Sequence, residues 1–257
     1  MKLVGIICAL TLLSVSLESA PDGPNTFSAS TPSPAEILDR YAKAIQIEES
    51  HPQPVSMDVD MDAKVPRLKK QGRLHAFRFI TRVGQIFYPP RDMRYEGDNT
   101  IKKEVIARFI QAEKEARNTK NGSMTVTADN YKFKYKGSMD YAGKTAYVFQ
   151  VAPRKKRVGL YKGEIWIDKD TYLPLREWGM LAKSPSVFIK NVYFVRDYML
   201  CDGIAIPRRL ISDINTRIVG KAQLTIWYEN VKVGDNPAVS ALPGGGSGNA
   251  TTVGALR

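Results

Sequence analysis

Apolar and polar residues alternate along most of this chain with the period of two that marks a half-buried β-strand. VSMDVDMDAKV (55–65) sets Val55, Met57, Val59 and Met61 on one face and Ser56, Asp58, Asp60 and Asp62 on the other. RLHAFRFITRVG (73–84), QIFYPP (85–90), NYKFKYKG (130–137) and KTAYVFQVAP (144–153) continue the pattern. The longest stretch runs from Tyr161 to Val231. YKGEIWIDKDTYLPLREWG (161–179) predicts two strands joined by an Asp-Lys-Asp turn. SVFIKNVYFVRDYMLCDG (186–203) and IAIPRRLISDI (204–214) predict a second pair, and GKAQLTIWYENVKV (220–233) a further strand. Val, Ile, Tyr, Phe and Trp dominate these runs, and Asp-Gly and Asp-Lys-Asp punctuate them.

The helical period occurs twice. Ser33-Pro34-Ala35-Glu36 combines an N-cap, a proline at the first helical position and a glutamate at the third. Behind it Ile37, Leu38, Tyr41, Ala44 and Ile45 form one stripe, which predicts a helix over 34–49, stopped by His51-Pro52 and Pro54. IKKEVIARFIQAEKEA (101–116) collects Ile101, Val105, Ile106, Phe109 and Ile110 on one side, a second amphipathic helix suited to closing over an apolar surface. No βαβ repeat and no Gly-rich nucleotide loop interrupts this order. The prediction is one antiparallel α+β domain over residues 34–233.

Both ends differ in composition. Lys2 followed by LVGIICALTLLSV (3–15) and small residues up to Ala20 predicts an export signal over residues 1–20. Residues 21–33 are rich in Pro, Ser and Thr and predict a flexible lead; the Gly-rich residues 234–257 predict a disordered tail. Cys8 lies within the apolar run, so cleavage leaves Cys201 alone, unable to form an internal disulfide. That suits a bacterial envelope better than a disulfide-stapled secreted domain. The net charge of +12 suggests anionic partners such as lipid headgroups or envelope polymers.

Catalytic chemistry is hard to assemble. His51 and His75 are the two histidines, and neither belongs to a Cys-His cluster with zinc spacing. Asp58, Asp60 and Asp62 share a strand face at intervals of about 6.5–7 Å, too wide to wrap one ion, and read as a solvated face. Asp168 and Asp170 flank Lys169 as turn formers rather than as an acid–base pair. No catalytic residue, metal site or cofactor is expected. PRKKR (153–157) is the densest charge run, and Arg154, Lys155, Lys156 and Arg157 are candidates for contact with an anionic partner. A nucleic-acid platform would need interleaved aromatics, and none is free here.

The apolar supply is more suggestive. Phe77 and Phe79 share a face of one strand; Tyr147, Phe149 and Val151 share another. Phe188, Val192 and Phe194 line one side of the 186–198 run, while Val187, Ile189, Tyr193 and Val195 line the other, so each side calls for cover. Two short helices cannot cap both faces of so wide a sheet. Either the sheet curls into a partial barrel or it leaves an apolar hollow for a ligand, with an ordinary packed core as the plain alternative.

YVFQVAPRKKRVGLYKGEIWIDKDTYLPLREWG (147–179), with Ile-Trp-Ile-Asp (165–168), a Lys-Asp-Thr turn and Leu-Pro-Leu-Arg (173–176), resembles the LolA/LolB-like superfamily of bacterial envelope proteins. FVRDYMLCDGIAIPRRL (194–210) is similar to that family's penultimate hairpin. The resemblance spans roughly residues 34–233. It implies an incomplete antiparallel β-barrel whose helices lie over an apolar concave side, and a periplasmic, non-enzymatic carrier of lipoprotein acyl chains or other lipids. On that reading Phe77, Phe79, Tyr147, Phe149, Trp166, Phe188, Val192, Phe194 and Trp227 line the cavity. Ile37, Leu38, Tyr41, Ile45, Val105 and Phe109 form the lid. The competing expectation is an envelope sensor or protein-interaction module that presents loop 153–157 to an acidic partner.

Overall fold

The computed structural model describes residues 32–116 and 124–234. The expected export signal (1–20), nearly all of the 21–33 lead and the tail beyond Gly234 lie outside the described residues.

Helix α1 (Pro34–Ser50) starts as its capping box dictates. The Ser33 hydroxyl accepts from the Glu36 amide at 3.3 Å, and the Glu36 carboxylate accepts from the Ser33 amide at 2.7 Å. Ile37, Tyr41 and Ile45, a 4-residue spacing, are its buried stripe. Then follow β1 (Val55–Val65), β2 (Lys70–Ile80), the short β3 (Ile86–Phe87) and β4 (Arg94–Gly97). Three helical pieces, Asn99–Ile101, Lys102–Ile106 and Ala107–Ala116, run on as one helix, α2, whose middle piece is a π-type turn. The chain closes with β5 (Tyr131–Tyr141), β6 (Lys144–Pro153), β7 (Tyr161–Asp168), β8 (Pro174–Leu181), β9 (Ile189–Cys201), β10 (Ile204–Thr216) and β11 (Lys221–Val233).

All eleven strands belong to one antiparallel sheet, in the order β3-β2-β1-β11-β10-β9-β8-β7-β6-β5, with β4 also on β2. Pairing is between consecutive strands except that β4 returns to β2 and β11 closes on β1, from Val55↔Val233 to Lys64↔Gln223. β5 and β3/β4 remain unpaired with each other, so the barrel is incomplete. The segment carrying α2 joins β4, at one edge, to β5, at the other. Ile101, Ile106 and Ile110 on α2 and Ile37, Tyr41 and Ile45 on α1 pack into the same core as Val59, Met61, Ile165 and Ile226 of the sheet. The helices therefore lie over the apolar side of an open, curved sheet. Sharp curvature is permitted at Gly163 and Gly179, paired across β7 and β8. A Cβ at Gly163 would stand 1.9 Å from the Trp178 carbonyl oxygen, so no larger residue fits there.

The outer face of β9 is covered over part of its length: Tyr193 is exposed, Val195 half-buried and Asp197 buried, while Val187, ahead of the strand, is exposed.

Candidate functional site

A cavity of about 1470 Å³ opens between the sheet and the two helices. Its walls come from α1 (Tyr41, Ile45), α2 (Ile101, Val105, Phe109) and the inward positions of β8–β11, among them Val192, Phe194, Leu210 and Leu224. It exceeds the roughly 300–1,000 Å³ typical of small-molecule pockets, and its length runs from Leu68 and Ile218 at one end of the strands to Val83 and Ala205 at the other. The native side chains leave this space unfilled.

Two polar clusters sit within the apolar walls. On β2, Arg78 is buried among Leu74, Ala76 and Ile80, in phase with them. Its guanidinium meets the Glu113 carboxylate of α2 at 2.9 Å and lies 5.3 Å from the centre of the Tyr228 ring. The Tyr88 hydroxyl donates to the same carboxylate at 2.8 Å. Burial opposes the Arg78 charge, but Glu113, Tyr88 and Tyr228 together more than offset it, and the guanidinium is held more firmly protonated than usual. On β9, Arg196 donates to Glu177 of β8 at 3.1 Å and to the Tyr198 hydroxyl at 3.3 Å. Arg196 is 38% accessible although protein surrounds it; the accessible part faces the cavity rather than bulk water. Burial pushes the hydroxyls of Tyr41 and Tyr161 far above the ordinary phenol range, with Glu177 adding to it, and that of Tyr228 up to about 12. All three stay neutral at ordinary pH. Among the described residues Arg78 Nε and the Tyr161 hydroxyl are buried without a hydrogen-bond partner, and both residues line the cavity.

Of the nine residues expected to line the hollow, Phe188, Val192 and Phe194 do so. Tyr147 and Phe149 point to the concave side but are consumed by packing. Tyr147 stacks on Tyr172 at 6.3 Å, and Phe149 meets Phe133 edge-on at 6.1 Å. Phe77, Phe79, Trp166 and Trp227 lie on the opposite face, a correction of parity. Phe77 pairs with Asp58, on the face that β1 turns away from its buried Met57 and Val59. Trp166 packs against Tyr141 at 5.1 Å beneath the Arg176 guanidinium at 5.2 Å, and Trp227 is part-exposed beside Arg209. Aromatic content misassigned these strands because the inward face of β2 carries an arginine and an alanine instead. The missed residues, Arg78, Arg196 and Glu177, could have been found as charges in phase with buried apolar neighbours.

All six lid residues lie on the packed sides of the helices, with Tyr41, Ile45, Val105 and Phe109 reaching the cavity. In the basic loop, Arg154 donates to the Ala128 carbonyl and Arg157 to Asn130 Oδ1, each at 2.7 Å, while Lys155 and Lys156 are exposed. Asp58, Asp60 and Asp62 face away from the cavity toward Asn230, His75 and Arg73 respectively. Asp168 is a turn former, accepting from the Asp170 and Thr171 amides at 2.8 and 2.9 Å. No cluster of potential metal ligands occurs among the described residues. No described helix is long and apolar enough to cross a membrane.

Residues 97–186, from the end of β4 to the β8–β9 loop, match the sequence profile of the MucB/RseB N-terminal domain. Solved structures similar to this chain include a DUF1329 family protein from Desulfovibrio piger. It is 14% identical, with TM-score 0.37, covering 79% of this chain and 94% of that one. A domain from Vibrio parahaemolyticus, provisionally described as an outer membrane lipoprotein-sorting protein, is 13% identical, with TM-score 0.38 and coverages of 77% and 93%. A LolA superfamily protein from Nitrosomonas europaea is 12% identical, with TM-score 0.35 and coverages of 83% and 99%. The fold itself is an open antiparallel sheet of eleven strands with helices over its apolar side. No curated protein sequence matches the chain. The features that matter for the site are the open sheet edge, the helices over the concave side and the space retained between them.

Proposed function

We propose that this chain is an exported, periplasmic, non-catalytic carrier that holds a lipoprotein acyl chain or another apolar ligand between sheet and helices. The observation that carries this reading is the elongated, apolar-walled cavity of about 1470 Å³. Withdrawing an acyl chain from water contributes about 0.8 kcal/mol per methylene, ample for binding without any covalent step. Unpartnered polar atoms inside a folded protein call for an explanation. Arg78 Nε and the Tyr161 hydroxyl are suited to a polar group at the head of such a ligand. The Arg78–Glu113 pair, with Tyr88, is a polar contact that holds α2 against the sheet beside this cavity.

The test is to purify the protein without detergent, extract it into organic solvent and identify bound molecules by mass spectrometry, alongside titration with a fluorescent fatty acid. Lipid in the extract, or saturable probe binding weakened by Phe194→Asp, supports the carrier. An empty extract together with no probe binding overturns it.

The second reading, an envelope sensor or interaction module, draws on the exposure of Lys155 and Lys156. It expects partner capture that weakens with salt and with Lys155→Gln/Lys156→Gln, independently of substitutions in the cavity.

A further inference from the structure

The strand register sorts the turns of the sheet into two ends. One cross-strand row runs Lys134–Gln150–Glu164–Trp178–Val195 and continues Ile211–Thr225–Asp62–Arg73. Turns 66–69, 154–160, 182–188 and 217–220 all lie beyond the same side of that row. Together they contain no Asp or Glu, and each carries Lys or Arg beside an exposed apolar residue. Arg67 and Lys69 flank Leu68; the 153–157 loop leads to Val158; Lys183 precedes Val187 and Phe188; Arg217 precedes Ile218. The turns at the opposite end are mixed in sign, with Asp170 and Asp202 as well as Lys169 and Arg82.

The apolar tips are held out by a built loop. Ser184 Oγ donates to the carbonyls of Ser186 and Ile189, at 2.9 and 2.6 Å, and Arg217 Nε donates to the Val187 carbonyl at 2.8 Å. The Arg217 amide bonds the Phe188 carbonyl at 2.9 Å, which ties two of the turns together. Val187 is nonetheless 77% exposed, Ile218 66% and Phe188 57%. Of the acids near this end, Asp98 pairs with Lys70 at 3.3 Å and Asp213 with Lys221 at 2.9 Å, while Asp129 lines a recess together with Arg154, Lys155 and Arg157.

We infer that this end of the sheet docks onto the surface of an anionic lipid bilayer, with the lysines and arginines of the four turns over the headgroups and Val187, Phe188 and Ile218 inserted between them. Charge selects the surface: basic residues near an anionic leaflet are attracted within a Debye length, and apolar side chains add affinity that salt does not screen. An acidic protein would satisfy the lysines but would not call for apolar tips on turn after turn. Leu68, Phe188 and Ile218 also rim the cavity, so docking turns its mouth toward the bilayer. The docking stands on the four turns alone; passage of cargo through the docked mouth rests on the carrier reading.

The experiment is flotation of the processed, detergent-free protein with vesicles of phosphatidylcholine, and of phosphatidylcholine mixed with phosphatidylglycerol. Binding is expected to the mixed vesicles, with much less to the neutral ones. Lys69→Gln/Lys155→Gln/Lys156→Gln/Lys183→Gln should lower affinity for mixed vesicles by more than about 100-fold, at about fivefold per residue. Val187→Ser/Ile218→Ser should remove the part that survives high salt. All six positions are exposed, and an unchanged melting curve verifies the fold of each variant. Equal binding to both vesicle types, or mixed-vesicle binding untouched by the lysine variant, overturns the inference. Capture by soluble polyglutamate that competes with vesicles and ignores Val187→Ser/Ile218→Ser also overturns it, assigning the surface to an acidic protein. Fatty-acid binding in the cavity, measured on the same variants, separates failure of docking from failure of the carrier reading.

Discussion

Glu113→Ala would strand a positive charge between the sheet and α2. Arg78 is 3% exposed and Glu113 18%, with 2.9 Å between the charged atoms. At an effective dielectric near 20, that separation corresponds to about 6 kcal/mol of attraction, against several kcal/mol per ion to bring each out of water. The two nearly cancel, so the pair as a whole adds little stability. Removing one partner leaves the other desolvated and unanswered, at a cost of about 3–5 kcal/mol. Tyr88 loses its acceptor at the same time. Arg78→Met/Glu113→Leu should therefore be far closer to the parent than Glu113→Ala, because no orphan charge remains. Urea denaturation of the parent, both single variants and the double variant gives the coupling energy directly. Stopped-flow entry of a fluorescent fatty acid reads the helix motion, and Glu113→Ala should admit it faster than either the parent or the double variant. A Glu113→Ala cost under about 1 kcal/mol, with no coupling in the cycle, would refute the idea that this pair holds α2 against the sheet.

Four further outcomes are expected. Phe149→Ala should cost about 3–5 kcal/mol in stability and leave probe affinity unchanged, whereas Phe77→Ser, on the outer face, should leave the affinity as it is; a probe titration beside a denaturation curve checks both. Gly163→Ala should destabilise by about 1–3 kcal/mol or more, since the added carbon meets the Trp178 carbonyl, which cannot move without breaking β8; the thermal midpoint reads it. Asp168 provides the pH test. Burial would raise its carboxyl, but Lys144 at 2.9 Å and the Thr171 and Asp170 amides win and hold it below the usual carboxylate range. A carboxyl whose folded-state pKa is depressed stabilises in full above its unfolded value, near 3.9, and loses that contribution as pH falls through the folded value. Asp168→Asn should flatten the acid limb of the stability curve in that window, and an unchanged acid limb would contradict the assignment.

Particular elements show how far pattern reading reached. The capping box at Ser33–Glu36 placed the start of α1 because its information is local: four residues satisfy each other's hydrogen bonds whatever surrounds them. β1 (Val55–Val65) was legible from end to end because its alternation is unbroken. α2 begins two residues before its apolar stripe because Asp98 caps it, accepting from the Thr100 amide at 2.7 Å. β4 escaped notice, since four residues with Arg, Tyr, Glu and Gly carry no alternation, and only the pairing with β2 makes them a strand.

Alternation divides a strand into two sets of side chains but does not label them. In β2 the sets are Phe77 with Phe79 and Leu74 with Ala76, Arg78 and Ile80; hydrophobicity favours the first as the inner set, but the second faces the core, and Phe79 is buried on the outer face beside Ser56 and Phe87. The label comes from the partner strands: β2 must match β1, whose Met57, Val59 and Met61 leave no doubt about the inside. The same partners turn all three tryptophans outward, where Trp166 and Trp178 both donate to Glu164.

What the chain's own residues determined is therefore the inventory: two amphipathic helices, long antiparallel strands, their turns, and an apolar supply larger than two helices can cover. Tertiary structure alone decided the rest. Closure of β11 on β1 chose which parity faces inward, brought Arg78 of β2 against Glu113 of α2, and gathered four turns from distant parts of the sequence into one basic, apolar-tipped rim. The physical reason is that caps, turns and alternation are satisfied within a few residues, whereas curvature, cavity and rim exist only once strands far apart in the chain share a register.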